Sequence, residues 1–374
     1  MGRLRAKRAF IVCGRTVSRR TPLIDSMKAN LGDACAGVFD ELEKDSPYHS
    51  VVAARDAARD AGADLVIGVG GGSVIQAVRV VVILLAEKGD PMSLITQYPA
   101  HGPAISVKLM APKMPIINVC TTATSAANRG GSAVKNLELG HRMEFFDPKT
   151  RPASVYWDWD ALLTAPVSLA VSSSYSVYWR ALMNMGGFDA NPLVEGDRIA
   201  AFRLAARAIR RVSDPTDAGP RIELCAAALL QNRDQDDGGA IVVKHWVMRV
   251  VYAFATALFN RYGHVSQGAA NAAFTPTALR MLGPRDPESL AAMATALGVD
   301  TAGLSTDAIA EAAAARVESD SKAIGMPTRL LGLDVPRDGL PQLVQDCMRN
   351  FNADPKREFV RDQDRLLEVM QAAW

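Results

Sequence analysis

The stretch Ala63-Asp-Leu-Val-Ile-Gly-Val-Gly-Gly-Gly-Ser73 has the residue types of an anion-binding corner. Leu65-Val-Ile67 leads into glycines at 68, 70, 71 and 72, then Ser73, and the chain stays mainly apolar to Ala86. Apolar residues without alternation read as a strand buried on both faces. The glycines make a turn, and the segment after them has the length of a helix. Backbone N–H groups at such a turn approach a ligand with no Cβ in the way, and the helix dipole adds favourable potential. A nucleotide phosphate suits this corner; the competing reading is a tight turn in an α/β protein. Other chemistry-bearing residues are sparse. Five histidines (His49, His101, His141, His245, His264) include no pair at metal-ligand spacing. Five cysteines lie far apart with no CxxC pair, which points to reduced thiols in a cytoplasmic protein.

The 374 residues leave room for two domains, and 49% hydrophobic with 22% charged residues describes an ordinary soluble globular chain. Lys and Arg number 42 against 40 Asp and Glu, with both signs scattered, so the basic stripe of a nucleic-acid binder is excluded. The apolar runs Ala9–Cys13 and Val80–Ala86 are too short for a signal-peptide core or a membrane span. The partner expected is a small-molecule substrate, with no nucleic acid and no membrane.

The elements that must position the corner follow from periodicity and punctuation. Strands are expected at Arg8–Cys13, Gly37–Asp40, Leu65–Gly68, Pro115–Cys120 and Ser154–Trp157. Helices are expected from Pro22 to Leu31 and Ser50 to Ala61, ended by Gly32 and Gly62. This alternation implies a doubly wound parallel sheet. After Pro166 the texture changes to long Ala-, Leu- and Arg-rich segments with helical spacing. They include Ser168–Met185, Glu195–Val212, Arg221–Gln231, Ala240–Phe259, Asn271–Leu282 and Asp354–Ala373. The expected organisation is an α/β dinucleotide-binding domain over 1–165 and an all-helical domain over 166–374.

The GGGS corner, Thr121-Thr122-Ala123 about 50 residues later and a helical second half resemble the iron-containing alcohol dehydrogenase superfamily, including its maleylacetate reductase branch. Gly268-Ala-Ala-Asn-Ala-Ala-Phe-Thr-Pro276 and Met326-Pro-Thr-Arg-Leu-Leu-Gly332 fit its C-terminal half. The resemblance implies that Gly70, Gly71, Gly72 and Ser73 hold the cofactor pyrophosphate, that Thr121 and Thr122 face the nicotinamide, and that Asp40 lies near the adenine ribose. A carboxylate there accepts from ribose hydroxyls and repels a 2′-phosphate, which favours NAD(H) over NADP(H). A strand-end turn residue is the alternative for Asp40. The resemblance also implies a homodimer.

The departures from the family bear on the chemistry. Its GGGSxxDxAK becomes Gly70-Gly-Gly-Ser-Val-Ile-Gln-Ala-Val-Arg79, so Gln76 and Arg79 replace Asp and Lys. The latter half of its TTAGTGSE loop becomes Thr124-Ser-Ala-Ala-Asn128. The family binds iron or zinc through an Asp and a His on one helix and two later histidines. Alignment puts Ser176, Arg180, Tyr252 and Gln267 at those positions, with Thr256 at a second family histidine. These residues make no sensible divalent-metal site, so no metal is expected. Arg180 is then the candidate to stabilise an oxyanion or hold a substrate carboxylate, and Tyr252 to donate the proton. His245, Arg249, Tyr252 and Thr256 fall on one face of the expected helix, and His264 in the following turn is a second acid or base candidate. The bland alternatives are an ion pair of Arg180 with Asp158 or Asp160, a core Tyr252 and a surface His245.

The expected function is therefore a metal-independent NAD(P)-dependent oxidoreductase acting on a carbonyl or activated C=C of a small anionic substrate. The alternatives are a non-redox lyase or cyclase reusing the cleft, and a catalytically silent binding protein.

Overall fold

A computed structural model of the chain describes residues 1–99, 102, 104–136, 138–139, 141–188, 191–233 and 244–374. They form two compact units, Met1–Pro166 with Thr216–Cys225, and Val167–Pro215 with Ala226–Trp374. The short segment joins the first unit through buried Arg221, whose Nη1 donates to the carbonyls of Leu162 at 2.6 Å and Ala165 at 3.1 Å.

The first unit is built on five parallel strands: β1 (Ala9–Cys13), β2 (Cys35–Phe39), β3 (Leu65–Gly70), β4 (Ile116–Cys120) and β7 (Ser154–Tyr156). Their order is β2-β1-β3-β4-β7. Every residue of β1 and β3 is buried, as unalternating apolar strands require. The chain steps from β1 outward to β2 and then returns to the other side of β1 for β3. That reversal opens a crevice beyond the carboxyl ends of β1 and β3, the place where open α/β sheets bind ligands.

Helices α1 (Arg15–Arg20), α2 (Leu23–Leu31), α3 (Tyr48–Asp60), α4 (Gly72–Ala86) and α5 (Trp159–Leu163) complete this unit with the hairpin β5 (Gly131–Asn136) and β6 (His141–Phe146). Periodicity did not foresee α1 or the hairpin. Three arginines on a six-residue helix carry no apolar stripe, and no residue of α1 is buried. The hairpin alternates only weakly, with Val134, Met143 and Phe145 turned inward.

A buried charge cluster closes this core. Lys113, with its side chain 1% exposed, places Nζ 2.7 Å from Glu87 and 3.0 Å from Asp147. Lys149 adds a contact of 3.0 Å to Asp147. Burial alone would raise the Asp147 carboxyl, but hydrogen bonds from Lys149 and Lys113 outweigh it and hold it below the usual carboxylate range. Glu87 is lowered too, mainly by the Lys113 hydrogen bond. Because both folded pKa values are depressed, this stabilisation is complete above the ordinary carboxylate range and is lost as pH falls through the folded values. Lys113→Met leaves Glu87 without a cation and Asp147 with Lys149 alone, and should cost about 3 kcal/mol at pH 7. In the variant these carboxyls bind protons more readily, so the deficit should shrink toward about pH 4. Urea melts at both pH values check this; an equal deficit at both would refute it.

The second unit is helical among the described residues: α6 (Val167–Met185), α7 (Pro192–Ile209), α8 (Gly219–Leu230, whose first seven residues belong to the first unit), α9 (Trp246–Arg261), α10 (Gln267–Leu282), α11 (Pro287–Ala296), α12 (Thr306–Ala323), α13 (Leu340–Cys347) and α14 (Gln363–Ala372). Helix α10 packs against α6, α9 and α12 and forms the middle of the unit. Two helices are shorter than their sequence pattern suggests. Helix α9 begins at Trp246, because His245 caps it, and the expected start at Ala240 lies outside the described residues. Asp354 to Asp362 is turn rather than helix, since the Asp354 carboxylate accepts from the backbone of Glu358 and Phe359 and pairs with Arg249. No helix among the described residues is long and apolar enough to cross a membrane.

Candidate functional site

In the first unit the expected glycine corner forms where β3 ends. Gly70 closes the strand, Gly71 is the N-cap of α4 and Gly72 its first residue. No side chain caps this helix, so the N–H groups of its first turn remain for a ligand. Gly71, Gly72 and Ser73 are partly exposed, while the rest of α4 is largely buried and fixes their direction.

The facing wall of the corner is the Thr-rich loop after β4. A Cβ on Gly71 would lie 3.0 Å from Thr122 Oγ1, and one on Gly72 would lie 3.1 Å from Thr124 Oγ1. A side chain at either glycine would press on a threonine hydroxyl at the start of α4, whose first turn has no side-chain cap. Thr121 is held by its N–H donating to the Gly70 carbonyl at 3.1 Å. Ser73 is anchored on a turn in left-handed backbone, Asp45 (φ 64°) and Ser46 (φ 52°). Its hydroxyl accepts from the Asp45 N–H at 3.0 Å, which leaves its own hydrogen for an anion.

The residues that break the family pattern hold this wall in place. Arg79 is fully buried, donating through Nε to Ser132 Oγ at 2.8 Å and through Nη1 to the Ala126 carbonyl at 2.5 Å. Gln76 receives the Ala133 N–H at 3.2 Å, and Ser132 Oγ donates to the Gln76 carbonyl at 3.0 Å. Asn118 Nδ2 donates to the Ala127 carbonyl at 2.8 Å. Burial lowers the Arg79 guanidinium to about 9, so it is charged at neutral pH. Asn118 escaped sequence reasoning, because it stands in no motif, and Thr124 was visible only as part of the altered loop.

Asp40 follows the end of β2, and its carboxylate is not solitary. Arg19 Nε lies 3.2 Å from it, and Glu41 contacts both Arg15 and Arg19 at 3.3 Å. Burial raises the Asp40 carboxyl, but hydrogen bonds from Arg19 and Ser18 and the Arg19 charge bring it below the usual range. Arg19 sits on α1, the helix that the pattern did not reveal.

The remaining candidates lie in the second unit. Arg180 on α6 is 5% exposed, donating through Nη1 to Asn232 Oδ1 at 3.0 Å and through Nη2 to the Gln231 carbonyl at 3.3 Å. Its partners are neutral, where the sequence offered Asp158 or Asp160. Its Nε, the side-chain amide of Asn184 one turn further along α6 and that of Gln231 have no hydrogen-bond partner among the described residues. Buried polar atoms in that state mark where water or a ligand completes the set. Ser176 is half-buried on α6, Tyr252 half-buried on α9, and Gln267 exposed at the start of α10, three helices joined through α10.

The two candidate histidines, His245 and His264, are engaged within the fold. His245 is buried rather than superficial, and it caps α9 rather than lying on its face. Its Nε2 donates to the Met183 carbonyl at 2.9 Å, and its Nδ1 accepts from the Met248 N–H at 3.3 Å. Burial keeps its imidazole neutral by pushing the pKa down. His264 is exposed, with Nε2 3.0 Å from the Leu333 carbonyl. Arg249 is taken by Asp354 and Glu358, each at 2.7 Å.

Comparison with known proteins assigns the chain. Residues 1–159 match the profile of the iron-containing alcohol dehydrogenases, and residues 183–374 match that of the Fe-containing alcohol dehydrogenase family, C-terminal. The chain belongs to the iron-containing alcohol dehydrogenase family. Among its relatives is long-chain-alcohol dehydrogenase 1 of Geobacillus thermodenitrificans, 24% identical over 89% of this chain and 79% of that one. Maleylacetate reductase of Sphingobium indicum is 23% identical over 88% and 80%. The crystal structure of a 1,3-propanediol oxidoreductase superposes with a TM-score of 0.84 at 22% identity, covering 100% of this chain and 94% of that one, and so shares the fold.

The metal in the family's name meets an unsuitable donor set here. Ser176, Arg180, Tyr252 and Gln267 offer two hydroxyls, an amide and a fixed cation, and the guanidinium already donates to Asn232 and Gln231. Among the described residues no group of three or more His, Cys, Asp or Glu is placed to hold a metal ion. These side chains do not fit a divalent transition metal.

Proposed function

We propose that this chain is a nicotinamide-dinucleotide-dependent oxidoreductase that works without a metal ion on a carbonyl or activated C=C of a small anionic substrate. The observation that carries the cofactor reading is the corner itself. The first turn of α4 has no side-chain cap, Ser73 keeps its hydroxyl hydrogen, and Thr122 and Thr124 Oγ1 stand 3.0 and 3.1 Å from where a Cβ on Gly71 or Gly72 would lie. Gly70, Gly71, Gly72 and Ser73 would hold the pyrophosphate, with Thr121 and Thr122 beside it. The nicotinamide, when bound, supplies or accepts the hydride.

The chain's own groups do the rest. Arg180 stabilises negative charge developing on the substrate oxygen, as a metal does elsewhere, and favours a substrate bearing a carboxylate. Tyr252 hands a proton to that oxygen or carbon. His264, exposed beside Tyr252's helix, serves as a proton relay to solvent; His245 contributes by fixing the start of that helix. The relatives' names, from long-chain alcohols to maleylacetate, bracket the substrate class. Asp40 selects NAD(H), and the Arg19 partner softens its rejection of a 2′-phosphate. A homodimer accompanies this reading.

Titration of purified protein with NADH, followed by fluorescence, tests the cofactor site. NADH should bind more tightly than NADPH, and Gly72→Val, which fills the phosphate position, should weaken NADH at least about 100-fold, or roughly 2.8 kcal/mol. No NADH binding to the folded wild type would remove the proposal. Elemental analysis tests the other half: stoichiometric iron or zinc in active protein would overturn metal independence.

A further inference from the structure

Within the second unit, a cavity of about 440 Å³ lies beside α6, α7, the end of α11 and α12. Its volume falls in the range of small-molecule sites. The floor is apolar and aromatic: Tyr178, Phe202, Ile209 and Leu297, each less than a tenth exposed, with the Tyr178 and Phe202 rings stacked at 6.3 Å. The rim is basic. Arg207, Arg210 and Arg316 line it with a single carboxylate, Asp320, which Arg210 contacts at 2.7 Å and Arg316 at 2.9 Å.

A second observation points to a ligand. Tyr178 is 3% exposed and lines the cavity; no described residue hydrogen-bonds its hydroxyl, which is not among the sealed unpartnered atoms and so remains accessible. Its neighbour Tyr175 behaves as buried phenols ordinarily do, bonding Ser321 at 2.7 Å. Burial raises the Tyr178 pKa, so the hydroxyl keeps its proton and is a donor.

We infer that this cavity binds a small carboxylate with an apolar body. The body lies on Phe202, Ile209 and Leu297. The carboxylate takes a hydrogen bond from Tyr178 and a charge-assisted one from the arginine rim. Asp320 already shows that the rim accepts a carboxylate between two guanidinium groups. A bare phosphate would leave the apolar floor uncovered. Tyr178 and Arg180 are two residues apart on α6, about 200° around the helix, so this site is separate from the one proposed for catalysis.

Calorimetric titration of the whole chain with benzoate, without cofactor, tests the inference. Benzoate should bind the wild type and Arg180→Ala alike, with benzyl alcohol and inorganic phosphate at least tenfold weaker. Ala206→Trp, which fills the cavity from its half-buried edge, should abolish binding. Arg210→Glu, at an exposed position that folding tolerates, should weaken it at least tenfold, and Tyr178→Phe severalfold. No benzoate binding to folded wild type at about 10 mM would overturn the site. So would affinity unchanged in both Ala206→Trp and Arg210→Glu. Phosphate binding as tightly as benzoate would overturn the carboxylate assignment.

Discussion

Arg180→Ala should lower kcat/KM by about 10²–10³ while leaving NADH affinity unchanged, the loss typical of removing one preorganised oxyanion donor. The argument rests on where the guanidinium is fixed. Two of its nitrogens are tied to Asn232 and the Gln231 carbonyl, so it keeps one orientation, and its buried Nε has no partner among the described residues. A donor held in one place costs little reorganisation as charge develops. The substitution also leaves the Asn232 and Gln231 acceptors short of a donor, so lost activity needs a control for lost structure. Added guanidinium ion should restore part of the activity of Arg180→Ala, which a merely misfolded variant would not show. Arg180→Lys keeps the charge but not the fork, and should recover only a fraction. Tyr252→Phe should be milder, within the 10²–10⁴-fold typical of a general acid. Normal turnover in Arg180→Ala would clear this residue of any catalytic part.

Gly268→Ala should destabilise the second unit severely, despite adding one methyl group. A Cβ at Gly268 would fall 1.8 Å from the Ser172 carbonyl oxygen, so backbone meets backbone where α10 crosses α6. Even a contact of 3.0 Å would need the helices to part by about 1.2 Å at that point. Overpacking usually costs about 1–3 kcal/mol where side chains yield. Here neither partner can yield, and α10 also carries the packing of α9 and α12. We expect Gly268→Ala to lose more than about 3 kcal/mol by urea melts and Gly268→Val not to fold. A midpoint within error of the wild type would show that the crossing is looser than described.

The parallel sheet, the glycine corner and most helices were legible because each rests on a local signal. Buried strands show as unbroken apolar runs, Gly32 and Gly62 mark helix ends, and the apolar stretch after Ser73 has no other home. What stayed hidden depends on partners distant in sequence. The helix of Arg15 to Arg20 buries nothing, so its stripe is absent, and its pairing of Arg19 with Asp40 spans 21 residues. His245 reads as one of a helical series, yet its neighbour Met183 stands 62 residues away and makes it a buried cap. Arg249 shares that predicted face but is consumed by Asp354, which also ends the expectation of a helix there. Gln76 and Arg79 were visible only as departures from a pattern. That they brace the altered loop needed Ser132, Ala133 and Ala126 in view.

That bracing restricts how the sequence can change. Returning residue 79 alone to lysine would swap a planar fork for a point charge unable to reach Ser132 and the Ala126 carbonyl together. A loop of different course would carry the Ala126 carbonyl away from the sealed guanidinium. Substitutions at these positions share hydrogen-bond partners, so their effects will not add. Helix, loop and hairpin are thereby coupled, and a change in one calls for matching changes in the others.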